Sequence, residues 1–144
     1  MSIFQDAILR FGRTIMSYAG DAVFLQAAVS AAANVIVADG DVAEEEIESA
    51  IGGIRANPIL EKSYDTLRVE QELYEAIARA KTRAGRLENL RLVGAIVERP
   101  IDQRQDVFLI GADVADFGGI SEVEHKALDE IGAALNVDKS ALLR

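Results

Sequence analysis

Two short stretches of the sequence place carboxylates directly after apolar runs. The first is VIVADGDVAEEE, residues 35–46, and the second is DVADFGGISEVE, residues 113–124. Carboxylate oxygens and the free carbonyls at a helix end are the ligands that hard divalent cations such as Ca²⁺ and Mg²⁺ prefer. The two stretches therefore predict two acidic corners that bind a divalent metal ion, with the candidate ligands Asp39, Asp41, Glu45, Glu46, Asp113, Asp116, Glu122 and Glu124.

Helix capping explains part of this acidity without any ion. Glutamates in the first turn of a helix interact favourably with the helix dipole and with free backbone N–H groups. Residues 121–124 have the spacing of a capping box, and residues 41–44 are its expected counterpart, with Asp41 as the cap. Asp39 and Asp116 differ, because each follows the end of a predicted helix, where exposed carbonyls disfavour a further negative charge. A cation would remove this conflict, whereas an ordinary Asp-Gly turn would explain Asp39 without one.

The spacing of the acidic residues does not fit an EF-hand loop. Counted from Asp113, positions 3 and 5 of the loop are Ala115 and Phe117, where an EF-hand carries Asp or Asn. Counted from Asp39, position 12 is Ala50 instead of the bidentate glutamate. We therefore expect a less enclosed ion site than an EF-hand provides, with weaker affinity.

The hydrophobic period is helical along nearly the whole chain, which predicts an all-α protein. Glycines and the Asn57-Pro58 pair mark the breaks. The predicted helices cover residues 3–17, 21–38, 43–56, 65–84, 87–98, 102–115 and 121–135, with one more turn near 138–142. Two of them, Val23–Ala38 and Val107–Ala115, are apolar on nearly every face and should form the centre of a bundle. We expect the most buried positions to include Phe24, Ala28, Ala31, Val35, Phe108, Ala112, Leu128 and Ile131.

Both central helices end in the same pattern of residue types. Each ends in Val-Ala-Asp and is followed by a glycine-containing turn, an apolar residue and an acidic helix start. Asp116 stands 77 residues after Asp39, and Glu124 stands 78 residues after Glu46. Repetition at a fixed offset is the signature of an internal duplication. The sequence therefore predicts two helical units related by a pseudo-two-fold axis.

Composition excludes several classes of protein. The 144 residues suffice for one domain with a hydrophobic core, spanning residues 1–144. The chain has no cysteine and a single histidine, His125, so thiolate and histidine-rich metal sites are excluded. A net charge of −9 would repel the phosphate backbone of a nucleic acid. No apolar run reaches the roughly 18 residues of a membrane span.

The N-terminal stretch bears on localisation. Charged residues at positions 6, 10 and 13 interrupt what would be the apolar part of a signal peptide, so we expect a cytoplasmic protein. The apolar face of the predicted first helix would either pack on the protein's own core or dock on the inner face of a membrane.

An enzyme is not expected. Nucleophilic catalysis needs an activated side chain beside a base, and Ser121 is the one serine with a histidine, His125, close in sequence. That serine fits a helix cap better. A carboxylate-bridged dimetal centre needs two Glu-x-x-His pairs, and the chain has one. The basic stretch RAKTRAGRLENLR leaves a third class open, a scaffold that docks an acidic partner.

The acidic stretches resemble the TerB-like domain of tellurite-resistance proteins. The resemblance rests on VADGDVAEEE, on DVADFGGISEVEHKALDEIGAALNV, and on DTLRVEQELYEAIARA with LVGAIVERPIDQRQDVFLIGADVADF, and it covers nearly the whole chain. It implies an internally duplicated helical bundle of seven to eight helices whose acidic corners bind a divalent cation. The residues that match the family's two motifs are Asp39, Gly40, Glu46, Asp116 and Glu124. The chain departs from the pattern at Phe117-Gly118, in place of Asp-Gly, and at Ala43, where a serine-like cap is usual.

The resemblance also implies a function. It predicts a non-enzymatic, metal-binding and protein-interaction module of a tellurite and stress-resistance system. The expected partners are other proteins of that system, including a membrane-bound one, which would place the protein at the inner face of the membrane. The alternative is a scaffold or membrane-surface-docking helical adaptor with no metal dependence.

Overall fold

The structure, a computed structural model, describes residues 3, 5, 21–116 and 119–143. Among the described residues the regular structure is entirely helical, which confirms the predicted all-α class. Within residues 21–143 eight helices follow one another: α1 (Ala22–Ile36), α2 (Glu44–Ala56), α3 (Pro58–Glu61), α4 (Thr66–Ala80), α5 (Arg83–Gly94), α6 (Ile101–Ala115), α7 (Glu122–Leu135) and α8 (Lys139–Leu142). Residues 3 and 5 are helical, and the rest of the helix predicted over residues 3–17 lies outside the described residues. None of the described helices combines the length and apolar character needed to cross a bilayer.

Helix α1 lies at the centre of the bundle, with α4, α5 and α6 packed around it. Its alanines allow this close approach, because short side chains leave room for neighbouring helices. Helix α6 packs against α1, α2 and α7, so it is the second central helix. All eight residues predicted to be most buried are buried, with Ala112 the most accessible of them at 5% exposure.

A buried polar network fixes how α1, α4 and α5 meet. The side-chain amide of Asn89, which is fully buried, donates hydrogen bonds to Asn34 Oδ1 at 3.0 Å and to the carbonyl of Ala76 at 3.0 Å. Arg79 Nε donates to Asn89 Oδ1 at 2.9 Å, and Asn34 Nδ2 donates to the Arg86 carbonyl at 3.1 Å. Buried polar groups are costly when unpaired, so this network favours one register of the three helices.

The break that Gly85 predicts lies elsewhere in the structure. Helix α4 ends at Ala80 and α5 begins at Arg83, because the Thr82 hydroxyl accepts a hydrogen bond from the Gly85 N–H at 3.0 Å and caps α5. Gly85 therefore lies inside the first turn of α5. A Cβ at this position would lie 1.6 Å from the Arg79 carbonyl oxygen, so the glycine permits the close approach of α4 to α5.

One further helix end and one short helix differ from the prediction by more than two residues. Helix α5 ends at Gly94, four residues before the predicted end at residue 98. The short helix α3 was not predicted; it begins where the Asn57 side chain accepts a hydrogen bond from the Ile59 N–H at 2.9 Å. Four residues are too few to show a helical period, whereas Asn followed by Pro at the first helical position is a local start signal.

The core assignment predicts the cost of one truncation. Phe108 is fully buried and lies against Gly132 of α7, so Phe108→Ala should lower the free energy of unfolding by about 3–5 kcal/mol in urea denaturation. Tyr74, which is 53% exposed, supplies the control, because Tyr74→Ala should cost less than about 1 kcal/mol. A Phe108→Ala cost as small as that of the control would contradict the central position of α6.

Candidate metal centre

Three carboxylates from three different elements converge at one end of the bundle. Asp39 lies in the turn after α1, Glu46 in the first turn of α2 and Glu124 in the first turn of α7. One oxygen of each lies within 4.8 Å of the others, and we call this group the carboxylate centre. Glu46 and Glu124 are each only 6% exposed, whereas Asp39 is exposed. The centre is therefore buried in the protein at Glu46 and Glu124 and accessible to water at Asp39.

The turn after α1 holds Asp39 in place. Its Oδ1 accepts a hydrogen bond from the Asp41 N–H at 3.1 Å, which closes a short side-chain-to-backbone turn. Gly40 between them has a φ of +87°, in the left-handed region that glycine adopts without strain. This turn leads the chain away from the end of α1 and keeps the carboxylate of Asp39 beside the start of α2.

Both glutamates are the third residue of their helices and point back over the helix start. Glu124 forms a capping box with Ser121: its Oε1 accepts from the Ser121 N–H at 3.0 Å and from the hydroxyl at 2.8 Å. At α2 the cap is Ala43, which makes no side-chain capping bond, so the prediction of Asp41 as the cap is wrong. Asp41 is instead committed to the turn through its own N–H.

The electrostatics of Glu46 are unusual for a helix-capping glutamate. Its Oε2 is buried and has no hydrogen-bond partner among the described residues. Burial raises the pKa of Glu46 to about 7, and the nearby charges of Asp39, Glu124 and Asp41 add to the rise, while a backbone hydrogen bond at Ala43 opposes it. Within the described part of the chain, no Lys, Arg or His forms an ion pair with any member of the centre.

This geometry suits a hard divalent cation. All donors are oxygens, the ligand type that Ca²⁺ and Mg²⁺ prefer over the nitrogen and sulfur ligands of zinc sites. The three carboxylates would supply part of the coordination shell, and water entering beside Asp39 would complete it. An ion there would also join the end of α1 to the starts of α2 and α7. Helices α2 and α7 each pack on both α1 and α6.

The other predicted ligands lie outside the carboxylate centre. Asp41, Glu45 and Glu122 are exposed. Asp113 and Asp116 are also exposed and line a separate cavity of about 570 Å³ that includes His125. His125 Nδ1 lies 3.3 Å from Lys139 Nζ, so the neighbour of this ring is the Lys139 ammonium group. Phe117 and Gly118, where the chain departs from the TerB-like pattern, lie outside the described residues.

The sequence pattern predicts one site per acidic stretch. In the structure, Glu124 from the second stretch lies instead beside Asp39 and Glu46 from the first. Glu46 and Glu124 stand at the same third position of their helices, and the offset of 78 residues between them is the signal that relates them. What sequence spacing does not show is that the two helix starts meet. The internal duplication itself stays a prediction.

One surface beside the centre was not predicted from the sequence. A groove of about 720 Å³ lies where α5 and α7 meet the end of α1, and Asp39 belongs to both the groove and the carboxylate centre. We call it the α5–α7 groove. Its charged lining residues are the cations Arg83, Arg86 and Lys126 and the carboxylates Asp39 and Glu130. Only the basic composition of the stretch around α5 hinted at it.

Comparison of the chain with protein-family models, with curated proteins and with solved structures finds no match in any of the three. The TerB-like resemblance therefore rests on the residues and motifs quoted above.

The raised pKa of Glu46 predicts how stability depends on pH in chelator-treated protein. Because the folded-state pKa, about 7, exceeds the ordinary value of 4.5, folding favours the protonated carboxyl. Its contribution to stability is fully present below about pH 4.5 and is lost as the pH rises through 7. Glu46→Gln removes the ionisable group. The free energy of unfolding of this variant, relative to that of wild type, should therefore rise by on the order of 2 kcal/mol from pH 5 to pH 8.

The exposed neighbour Glu45 provides the control for this measurement. Glu45→Gln should follow the wild-type curve when urea unfolding is recorded at each pH with chelator present. Parallel curves for Glu46→Gln and wild type would show that the Glu46 carboxylate is not destabilised by its surroundings.

Proposed function

We propose that the protein is a non-enzymatic cation-binding and protein-interaction module in which Asp39, Glu46 and Glu124 hold one Ca²⁺ or Mg²⁺ ion. The observation that carries this proposal is the buried, unpartnered Oε2 of Glu46 beside two further carboxylates. A buried polar atom without a partner costs roughly 1–3 kcal/mol, and an ion placed among the three carboxylates would remove that cost.

Helix capping alone is a weaker explanation of the centre. The cap of α7 uses Oε1 of Glu124, and the backbone hydrogen bond at Ala43 engages Glu46. Neither interaction requires the two glutamates to approach each other or Asp39. Their mutual repulsion, which contributes to the raised pKa of Glu46, is offset once a divalent cation lies between them.

A direct chemical role in catalysis has little support from the residues around the centre. It offers three carboxylates and no nucleophile, and the single histidine of the chain faces Lys139 instead. The chain has no thiol and only two methionines, Met1 and Met16, so redox chemistry on tellurium by its own side chains is not expected. These features support a binding role.

The biological setting is proposed from the resemblance of the motifs. We place the protein in a tellurite and stress-resistance system, in the cytoplasm and at the inner face of the membrane. There it would bind other proteins of the system, including a membrane-bound partner. The alternative, a metal-independent scaffold or membrane-surface adaptor, is favoured by the basic α5–α7 groove, which needs no ion to exist.

The ion proposal is tested by thermal unfolding of chelator-treated protein with added Ca²⁺, Mg²⁺, Mn²⁺ or Zn²⁺. An ion that binds only the folded state at a hundred times its Kd adds about 2.7 kcal/mol, which raises Tm by roughly 5–10 °C for a domain of this size. Asp39→Asn should lose most of this shift, because the amide carries no charge, yet its oxygen still accepts the Asp41 N–H that closes the turn.

Asp116→Asn is the matched control, since it makes the same substitution at the end of α6, outside the carboxylate centre. It should keep the full ion-induced shift. Glu124→Gln should lose the shift as Asp39→Asn does. If all three variants respond to the ions as wild type does, or if millimolar ion shifts none of them, the centre is not an ion site.

A further inference from the structure

The α5–α7 groove exposes large apolar side chains. Leu87 of α5 is 67% exposed, and Val123 of α7 is 48% exposed, although both line a concave surface. Leu90 and Val37, which are partly buried, continue the apolar lining toward the core. Exposed apolar side chains gathered in a groove indicate a surface that another molecule covers.

Cations lie beside this apolar lining on both helices. Arg83 and Arg86 come from α5, and Lys126 comes from α7. The Arg86 side chain donates to the Ala80 carbonyl at 2.9 Å, whereas the side chains of Arg83 and Lys126 form no hydrogen bond or ion pair with any described residue. These three cations outnumber the two carboxylates of the lining, Asp39 and Glu130, so the groove differs in sign from the chain as a whole, whose net charge is −9.

We infer that the α5–α7 groove binds an acidic amphipathic helix of a partner protein, and that the ion at the carboxylate centre strengthens this binding. An amphipathic helix laid in a groove inserts apolar residues at i, i+3, i+4 and i+7 and presents its flanking charges to the rim. Here acidic flanks would meet Arg83, Arg86 and Lys126 while the apolar face covers Leu87 and Val123. The ion-dependent half of the inference rests on the proposed function.

Other occupants fit the groove less well. A bilayer surface is flat and would contact the exposed side chains at the rim but not the deeper apolar lining, the partly buried Val37 and Leu90. The three cations of the groove lie beside two carboxylates, Asp39 and Glu130, and are too few to offset the repulsion between an acidic chain and a nucleic acid backbone. The shape and charge together favour an acidic helix.

Asp39 couples the groove to the carboxylate centre. It lines the groove and belongs to the centre, so its charge opposes an acidic ligand when no ion is bound. An ion held by Asp39, Glu46 and Glu124 would offset that charge and hold the turn that borders the groove. Because such coupling is reciprocal, the helix would also raise the affinity for the ion, and we expect an effect of about fivefold or more.

The test begins with a displayed library of 16-residue amphipathic helices that carry Leu, Ile or Phe on one face and either Glu/Asp or Lys/Arg beside it. The full-length protein is screened in millimolar Ca²⁺ and Mg²⁺. We expect enrichment of acidic helices. The best peptide is then synthesised and its affinity measured by fluorescence anisotropy.

Groove variants locate the binding. Leu87→Asp and the double variant Arg83→Glu/Lys126→Glu should each weaken peptide binding at least tenfold, while circular dichroism shows that they stay folded. The matched control is Lys62→Glu/Lys81→Glu, which reverses two exposed lysines outside the groove and should change affinity less than twofold. Failure to enrich acidic helices, or equal losses in groove and control variants, would overturn the groove assignment.

Two further measurements separate the remaining alternatives. Vesicles containing phosphatidylserine should not bind in a way that depends on Leu87; if they do, and no acidic helix binds, the occupant is a membrane and the inference is wrong. Peptide affinity should fall about fivefold or more in chelator, and Asp39→Asn should abolish that dependence. If the ion raises Tm but does not change peptide affinity, the coupling alone is overturned. If the peptide binds but no ion changes Tm, the ion site alone is overturned.

Discussion

The burial of helix α1 is the constraint on which the rest of the structure depends. Its alanine-rich surface lets α4, α5 and α6 approach closely, but small side chains by themselves specify the register of a helix weakly. The hydrogen bond between Asn89 and Asn34, inside the core, supplies that specificity. Asn34 also lines the α5–α7 groove, so the interaction that positions the end of α1 also positions the turn that carries Asp39.

Without a bound ion, the carboxylate centre lowers the stability of the folded protein. A buried carboxylate with an unpartnered oxygen and two acidic neighbours destabilises the folded state whenever it is ionised. An apolar or amide side chain at position 46 would avoid this cost. Local sites of this kind are typical where a protein accepts lower stability in exchange for binding. A cation bound there would offset this repulsion and link the three elements that carry the carboxylates.

Sequence reasoning succeeded where the signal is local and periodic. The continuous apolar character of α1 and α6 predicted the central helices, and the spacing of Ser121 and Glu124 predicted the capping box that α7 shows. It failed at Gly85, where a glycine serves the close approach of two helices instead of a helix end. It failed also at Asp41, because a side-chain cap and an Asp-Gly turn compete for the same residues.

The candidate site was predictable in composition but not in arrangement. Asp39, Glu46 and Glu124 all carry the acidic pattern, yet only packing of α2 and α7 on α1 and α6 brings the last two together. That meeting depends on contacts distant in sequence, which a one-dimensional pattern does not contain. The α5–α7 groove was missed for the same reason, since its walls come from helices that are separated by α6 along the chain.

The number of ions bound per chain tests the central claim most directly, because one shared centre and two separate corners predict different values. Titration calorimetry at pH 7 in two buffers of different ionisation enthalpy gives the stoichiometry and the protons released together. The shared centre predicts one ion per chain, with a fraction of a proton released because the pKa of Glu46 is about 7, and no binding to Glu46→Gln. Two ions per chain, or undiminished binding to Glu46→Gln, would contradict it.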